Sequence, residues 1–454
     1  MKRQSLGCVY SSLILYPFAY VLFRNPGNRT MLDTLFYIPE QIGGVPTFGA
    51  GWLLALWAVV SVVLLAWLVR RQGFSADTWS QGALLLVIGF FIWRVLPAIS
   101  EPGRGLPIHG YGVMLLAGVV AGVGLTVWRG RRLGIDPDLI LALALWGFVP
   151  GIIGGRLFYV IEYWQDFQRA TLEKTLVEII NLTKGGLVVY GALIGGMLGF
   201  LAFLRREKLP VGAMLDLVVP GMLLGLALGR VGCFMHGCCF GGICDLPWAV
   251  RFPVDSPPYL RQVERGDLFV HGLKVLGQPK DPPVIAEVEP GSAADERGLK
   301  AGQTVRSING RGVATVEDAQ WALTHAGESA AEIEVATQGG SPPARWTIAG
   351  ETLRSRPTHP TQIYSAIDAL ILCLFLLAYD PLRRRDGELL ALLLTIYPIS
   401  RFLMEILRTD EPGMLGTGLS IGQIMSVLLL VVAAGLWVYL LRRPPGKGLP
   451  ISAS

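Results

Sequence analysis

Charged side chains are sparse in this chain. Asp, Glu, Lys and Arg make up 16% of its 454 residues, while 52% are hydrophobic and the mean hydropathy is +0.50. A soluble globule carries roughly a quarter charged residues, so that class is excluded and an integral membrane protein remains. No apolar run precedes Leu6-Gly7-Cys8. A signal peptide cleaved there is not expected, and the stretch 8–23 is read as a retained helix. Extended basic tracts are also missing. Lys and Arg come in short runs, as solvated anchors do, so the formal net charge of +5 points to topology rather than to nucleic acid.

What is present is a series of apolar stretches: 8–23, 48–69, 81–99, 108–128, 139–161, 186–204, 211–229, 362–379, 389–407 and 421–441. Most approach the roughly 20 residues that cross a bilayer as a helix, which predicts an all-α polytopic membrane protein with about ten transmembrane helices. Lys2 and Arg3, Arg70 and Arg71, Arg129 with Arg131 and Arg132, Arg205 and Arg206 with Lys208, Arg383 to Arg385, and Arg442 and Arg443 with Lys447 fall at alternate loops. Positive residues stay cytoplasmic in short loops, so both termini are expected inside.

On this topology two outside segments are long, 162–185 and 233–362. Within the second, hydrophobic density drops after Phe252 and Pro257-Pro258 marks a boundary. Val284-Ile285-Ala286-Glu287-Val288 and Thr304-Val305-Arg306-Ser307-Ile308 alternate as half-buried strands, the latter before an Asn309-Gly310 turn. Helical spacing follows over 316–325, then strand patterns over 332–337 and 344–348. The blocks Glu289-Pro290-Gly291-Ser292-Ala293-Ala294, Gly298-Leu299-Lys300-Ala301-Gly302 and Ser307-Ile308-Asn309-Gly310, in that order, resemble a PDZ domain of the bacterial protease-associated type. The resemblance implies a small inserted α+β domain over 257–353, extracytoplasmic, that binds a peptide or protein ligand as an added strand, with Gly298 and Leu299 in its peptide-binding region.

Polar blocks interrupt the apolar helices at ends that share the outer side. They are His109-Gly110-Tyr111-Gly112, Gly154-Gly155-Arg156, Val189-Tyr190-Gly191-Ala192-Leu193-Ile194-Gly195-Gly196, Gly229-Arg230-Val231-Gly232-Cys233 and His359-Pro360-Thr361-Gln362-Ile363-Tyr364. Arg401, Glu405 and Arg408 stand at i, i+4 and i+7, on one helical face. An arginine at the edge of hydrocarbon requires an anion or a partner. Arg156, Arg230 and Arg401 would together suit an anionic lipid headgroup, with Glu405 orienting Arg401. The competing reading is that each caps helix carbonyls or pairs with a carboxylate such as Glu162 or Asp216. Gly191 and Gly195, and Gly225 and Gly229, are four apart, as close helix packing requires, while Gly154 and Gly155 would let a headgroup reach the backbone.

In order and spacing these blocks resemble the prolipoprotein diacylglyceryl transferase family, over about 108–441 without the insert. The resemblance divides the chain into extra N-terminal helices (1–105), a first part of the membrane domain (106–256), the insert (257–353) and a second part (354–454). It implies a membrane enzyme of the bacterial cytoplasmic (inner) membrane that moves a diacylglyceryl group from phosphatidylglycerol to the thiol of a prolipoprotein cysteine. No cofactor is implied. Arg230 and Arg401 match the family's two functional arginines, and Arg156, Gly154, Gly155, Tyr111 and Glu405 are expected on the phospholipid.

The chain departs from the family pattern on the side of the base. Tyr190 stands where the family has a histidine, and Cys233, His236 and Cys238 stand where asparagines and an acid are common. His236 and His109 are the substitutes expected, since imidazole accepts a thiol proton near neutral pH; Tyr190 would orient phosphate. Cys233, Cys238, Cys239 and Cys244 admit three readings: a disulfide, a zinc site or buried thiols. A disulfide among Cys238, Cys239 and Cys244 is favoured, with no metal assigned. The alternative function is a membrane thiol, redox or lipid-binding adaptor whose PDZ-like module reads extracytoplasmic peptides.

Overall fold

The structure is a computed structural model and describes residues 34–168, 171–181, 185–329, 331–338, 342–348, 353–408, 418–446 and 448. The expected helix over 8–23 lies outside them. Apolar runs of this length form helices because only intrahelical hydrogen bonds satisfy the backbone in hydrocarbon. The long helices are α1 (Trp52–Gln72), α2 (Ala76–Phe90), α3 (Gly110–Arg132), α4 (Pro137–Glu162), α5 (Val189–Arg206), α6 (Val211–His236), α7 (Thr361–Tyr379), α8 (Glu388–Glu405) and α9 (Ile421–Leu441). A π turn over Phe91–Val95 and a last turn at Leu96–Ile99 extend α2. Among the described residues, eight helices are long and apolar enough to cross a membrane. The helix α8 is not one of the eight, because Glu388, Arg401 and Glu405 interrupt its apolar sequence.

The chain forms two compact units, one built on Arg230–Asp368 and Tyr397–Val431, the other on Asp33–Gly229, Ala369–Ile396 and Val432–Ser454. In the second unit, strands β1 (Thr34–Ile38) and β2 (Leu106–His109) pair antiparallel. Glycines decide the helix contacts here. A Cβ on Gly154 would collide with the Gly191 carbonyl, and one on Gly195 with that of Pro150, so α4 and α5 touch backbone to backbone. Gly118 meets Gly225 and Gly122 meets Gly221 between α3 and α6, whereas Gly229 faces open space. A buried charge cluster ties the same unit together. Asp216 of α6 accepts from Arg383 Nη1 (2.9 Å) and the amides of Gly387 (2.7 Å) and Leu390 (3.1 Å), while Arg129 Nη2 donates to Asp380 (2.8 Å).

The first unit contains the insert. Strands β3 (Leu273–Val275) and β4 (Ile285–Val288) form one antiparallel pair. Strands β5 (Val305–Ile308), β6 (Arg311–Gly312), β7 (Glu332–Thr337) and β8 (Ala344–Thr347) form a sheet in the order β8-β7-β5-β6. Asn309 and Gly310 both take positive φ (49° and 74°), as a tight hairpin between β5 and β6 demands. Alternation buries Ile285, Val305, Ile308, Ile333 and Val335 with Tyr259 and Leu323 in a core of the insert's own.

Candidate active site

The site residues of the first unit lie at the ends of α6 and α8. On α8, Arg401 Nη1 is ion-paired with Glu405 Oε2, and Arg408 Nη1 reaches the same oxygen at 3.3 Å. The spacing of four puts Arg401 and Glu405 on one face of α8, and the turn that follows, with the Arg408 amide on the Glu405 carbonyl at 3.1 Å, brings Arg408 to the same carboxylate. The Glu405 side chain is only 2% exposed, so its charge needs both guanidiniums. Its other oxygen, Oε1, is buried without a hydrogen-bond partner among the described residues. Space for this pair comes from α9: a Cβ on Gly422 would lie 3.1 Å from Arg401 Nη2 and 3.2 Å from Glu405 Oε2.

Arg230, on the last turns of α6, is half-buried and interacts electrostatically with Tyr397, Cys239, Cys233 and Arg408. Arg230 is thus near enough to Arg408 to feel its charge, and Glu405 links Arg408 to Arg401. Arg408 was named in the sequence only as a member of the helical face; its pairing with Glu405 gives it a place in the site.

The turn after α6 carries the thiols. Thr361 Oγ1 donates to the Cys239 carbonyl and Gln362 Nε2 to that of Cys238, both at 2.7 Å, and Gly241 N donates to the His359 carbonyl at 3.0 Å. The His-Pro-x-Gln-x-Tyr block therefore serves as a clamp on this turn. Tyr364 accepts from Trp248 Nε1 (2.8 Å) and lies 3.4 Å from His359 Nδ1. Burial holds the His359 imidazole below its ordinary range, so the ring stays neutral at pH 7. His236, expected as a base, is exposed at the end of α6.

Among the described residues no disulfide joins Cys233, Cys238, Cys239, Cys244 or Cys373. Cys244, named above for a disulfide, lies in a separate segment, its amide donating to the Pro357 carbonyl at 3.0 Å. The sulfurs of Cys233, Cys238 and Cys239 instead lie within 4.8 Å of one another. Hydrogen bonds from the Cys233 and Cys238 thiols, with the charges of Arg230 and Arg408, hold Cys239 well below the usual thiol range. Cys238, half-buried and hydrogen-bonded to Cys233 and Cys239, is pushed up.

The remaining expected residues belong elsewhere. In the second unit, Arg156 donates to the carbonyls of Ile179, Gly185, Gly186, Glu178 and Asn181 at 2.8–3.0 Å. Those bonds use all five guanidinium N–H groups, so Arg156 caps the helix Leu172–Ile180 and secures the loop behind it instead of offering donors to a headgroup. Gly154 is filled by its contact with α5, and a Cβ on Gly155 would meet Ala192 Cβ and the Val188 carbonyl at 3.3 Å, so both glycines allow close packing on the residues that begin α5 and lead into it. Tyr111 and His109 are exposed, with His109 Nδ1 3.5 Å from Thr34 Oγ1, and Tyr190 is half-buried on the first turn of α5. In the insert, the amides of Gly298 and Leu299 already donate to Asp295 (2.9 Å) and Ala294 (3.2 Å), and Leu299 is buried in the core. Neither amide is available to a peptide carboxylate.

The family model of prolipoprotein diacylglyceryl transferase matches residues 97–439. The phosphatidylglycerol–prolipoprotein diacylglyceryl transferase of Rhodopirellula baltica is 33% identical over 449 residues, covering 91% of this chain and 90% of the relative. Proteins of the same name from Clostridium tetani (27%, covering 74% of this chain and 93% of the relative) and Synechococcus elongatus (36%, covering 36% and 54%) are also similar. The chain belongs to the prolipoprotein diacylglyceryl transferase family.

Proposed function

We propose that this protein transfers the diacylglyceryl group of phosphatidylglycerol to the thiol of a prolipoprotein cysteine, forming a thioether and releasing glycerol phosphate. The observation that carries the reading is the Arg230 site with the Arg401–Glu405–Arg408 network beside it. Carbon–oxygen cleavage moves charge onto the departing phosphate, and guanidiniums already aimed there stabilise that charge most where water is excluded. Glu405 fixes Arg401 and Arg408 through Oε2, and its Oε1, which has no partner among the described residues, suits a hydroxyl of the glycerol headgroup. Family membership favours this reading over a thiol sensor or an adaptor.

The positive clusters support an orientation with both termini cytoplasmic and about ten spans in the inner membrane, counting 8–23 and α8. The insert then lies outside the cytoplasm. Its order of strands and helices supports a PDZ-like module that recruits protein substrate or a partner at a sheet edge. With radiolabelled phosphatidylglycerol and a lipobox peptide, the purified chain should transfer label, and Arg230→Ala and Arg401→Ala should abolish transfer. Wild-type turnover in either variant would refute this site.

A further inference from the structure

The transfer chemistry requires a thiolate, and the position of the family's histidine holds Tyr190. Three thiols stand at the end of α6, beside Arg230. Cys233 is fixed on the last turn of α6; Cys238 and Cys239 are fixed through their carbonyls by Gln362 and Thr361. Cys239 adopts φ 61°, a left-handed conformation that a cysteine seldom takes. In this arrangement two adjacent thiols join the third within 4.8 Å. Zinc–sulfur bonds of about 2.3 Å at tetrahedral angles place sulfurs about 3.8 Å apart, so a small contraction completes a coordination triangle.

We propose that Cys233, Cys238 and Cys239 bind one zinc ion through three thiolates, and that its fourth position takes the prolipoprotein cysteine as the attacking thiolate. This rests on the transferase reading. Three protein ligands with an open position are the pattern of a catalytic zinc. The charges balance. Three thiolates on zinc carry −1 and a fourth gives −2, which Arg230 and Arg408 offset. A zinc-bound hydroxide takes the proton of the incoming thiol and leaves as water. The zinc-bound sulfur then donates its electron pair to the glyceryl carbon that bears the phosphate ester. A C–S bond forms as the C–O bond breaks, and the bonding pair departs with glycerol phosphate. The neutral thioether is a weaker ligand than thiolate, so water displaces it.

The test uses the full chain, purified reduced in nanodiscs containing phosphatidylglycerol. Elemental analysis should find one zinc per chain, falling below a tenth in Cys233→Ser and Cys239→Ser, while Arg230→Ala keeps the zinc and loses transfer. Cobalt substitution should give sulfur-to-cobalt charge-transfer absorption that changes with a lipobox peptide but not with its Cys→Ser counterpart. Each serine variant should slow transfer by about a hundredfold or more, the usual worth of activating a nucleophile's proton. If a serine variant fails to fold, stripping zinc from the wild type with a chelator should stop transfer and zinc should restore it. Zinc-free wild type that transfers at full rate, or serine variants that do so, would overturn the zinc site and leave the transferase standing. Zinc-loaded protein with no spectral response to the peptide would overturn the role as nucleophile holder. Absence of transfer in the zinc-loaded wild type would instead sink the transferase reading.

Discussion

Glu405→Gln is the sharpest single perturbation of the arginine network. The substitution keeps shape and an acceptor oxygen but removes the one negative charge that Arg401 and Arg408 share. The three side chains are 17%, 8% and 2% exposed for Arg401, Arg408 and Glu405, so water cannot replace that charge. Breaking a buried ion pair from one side costs about 3–5 kcal/mol. At the lower end, ~3 kcal/mol lost from transition-state stabilisation slows kcat/KM by about 150-fold. The assay is label transfer from phosphatidylglycerol to a lipobox peptide, with the thermal midpoint of the same sample measured so that lost fold and lost catalysis are separated. A variant within threefold of wild type at equal folded fraction would refute the claim that Glu405 aims these arginines.

Three further outcomes follow from the packing and the charges. Gly195→Leu should part α4 from α5, because even a Cβ there meets the Pro150 carbonyl; reduced helicity or a lower thermal midpoint in detergent checks it. Asp216→Asn should destabilise by about 3–5 kcal/mol, since the fully buried carboxylate is an ion-pair partner of Arg383 and accepts two amides, and chemical denaturation reads the change. The His359 imidazole is depressed by burial from its ordinary 6.5, so the unfolded chain binds its proton more readily. That contribution to stability is present above about pH 6.5 and is lost as pH falls through the folded value. The acid limb of a stability profile should flatten in His359→Gln.

Local pattern made much of the fold legible. Apolar runs located α1 to α9, although α6 runs seven residues past its stretch to His236, and alternation located β4, β5, β7 and β8, because burial on one face or all round is written directly into the residue order. The pairing of β1 with β2 was not legible, since Thr34 and His109 meet across a separation no local pattern encodes. The site divides similarly. The face shared by Arg401 and Glu405 follows from helical spacing. That Arg156 spends every donor on a loop, that Leu299 enters the core, and that three thiols converge without Cys244 depend on how distant segments close. Charge and hydrophobicity are properties of a residue; partnership is a property of the fold.

The most direct measurement of the central claim is transfer by the purified wild-type chain in phosphatidylglycerol nanodiscs. A peptide with a lipobox cysteine should gain the mass of one diacylglyceryl group while glycerol phosphate appears in equal amount, and a peptide with serine in its place should gain nothing. An unmodified cysteine peptide after incubation with folded protein, beside an active family member that modifies it, would contradict the account.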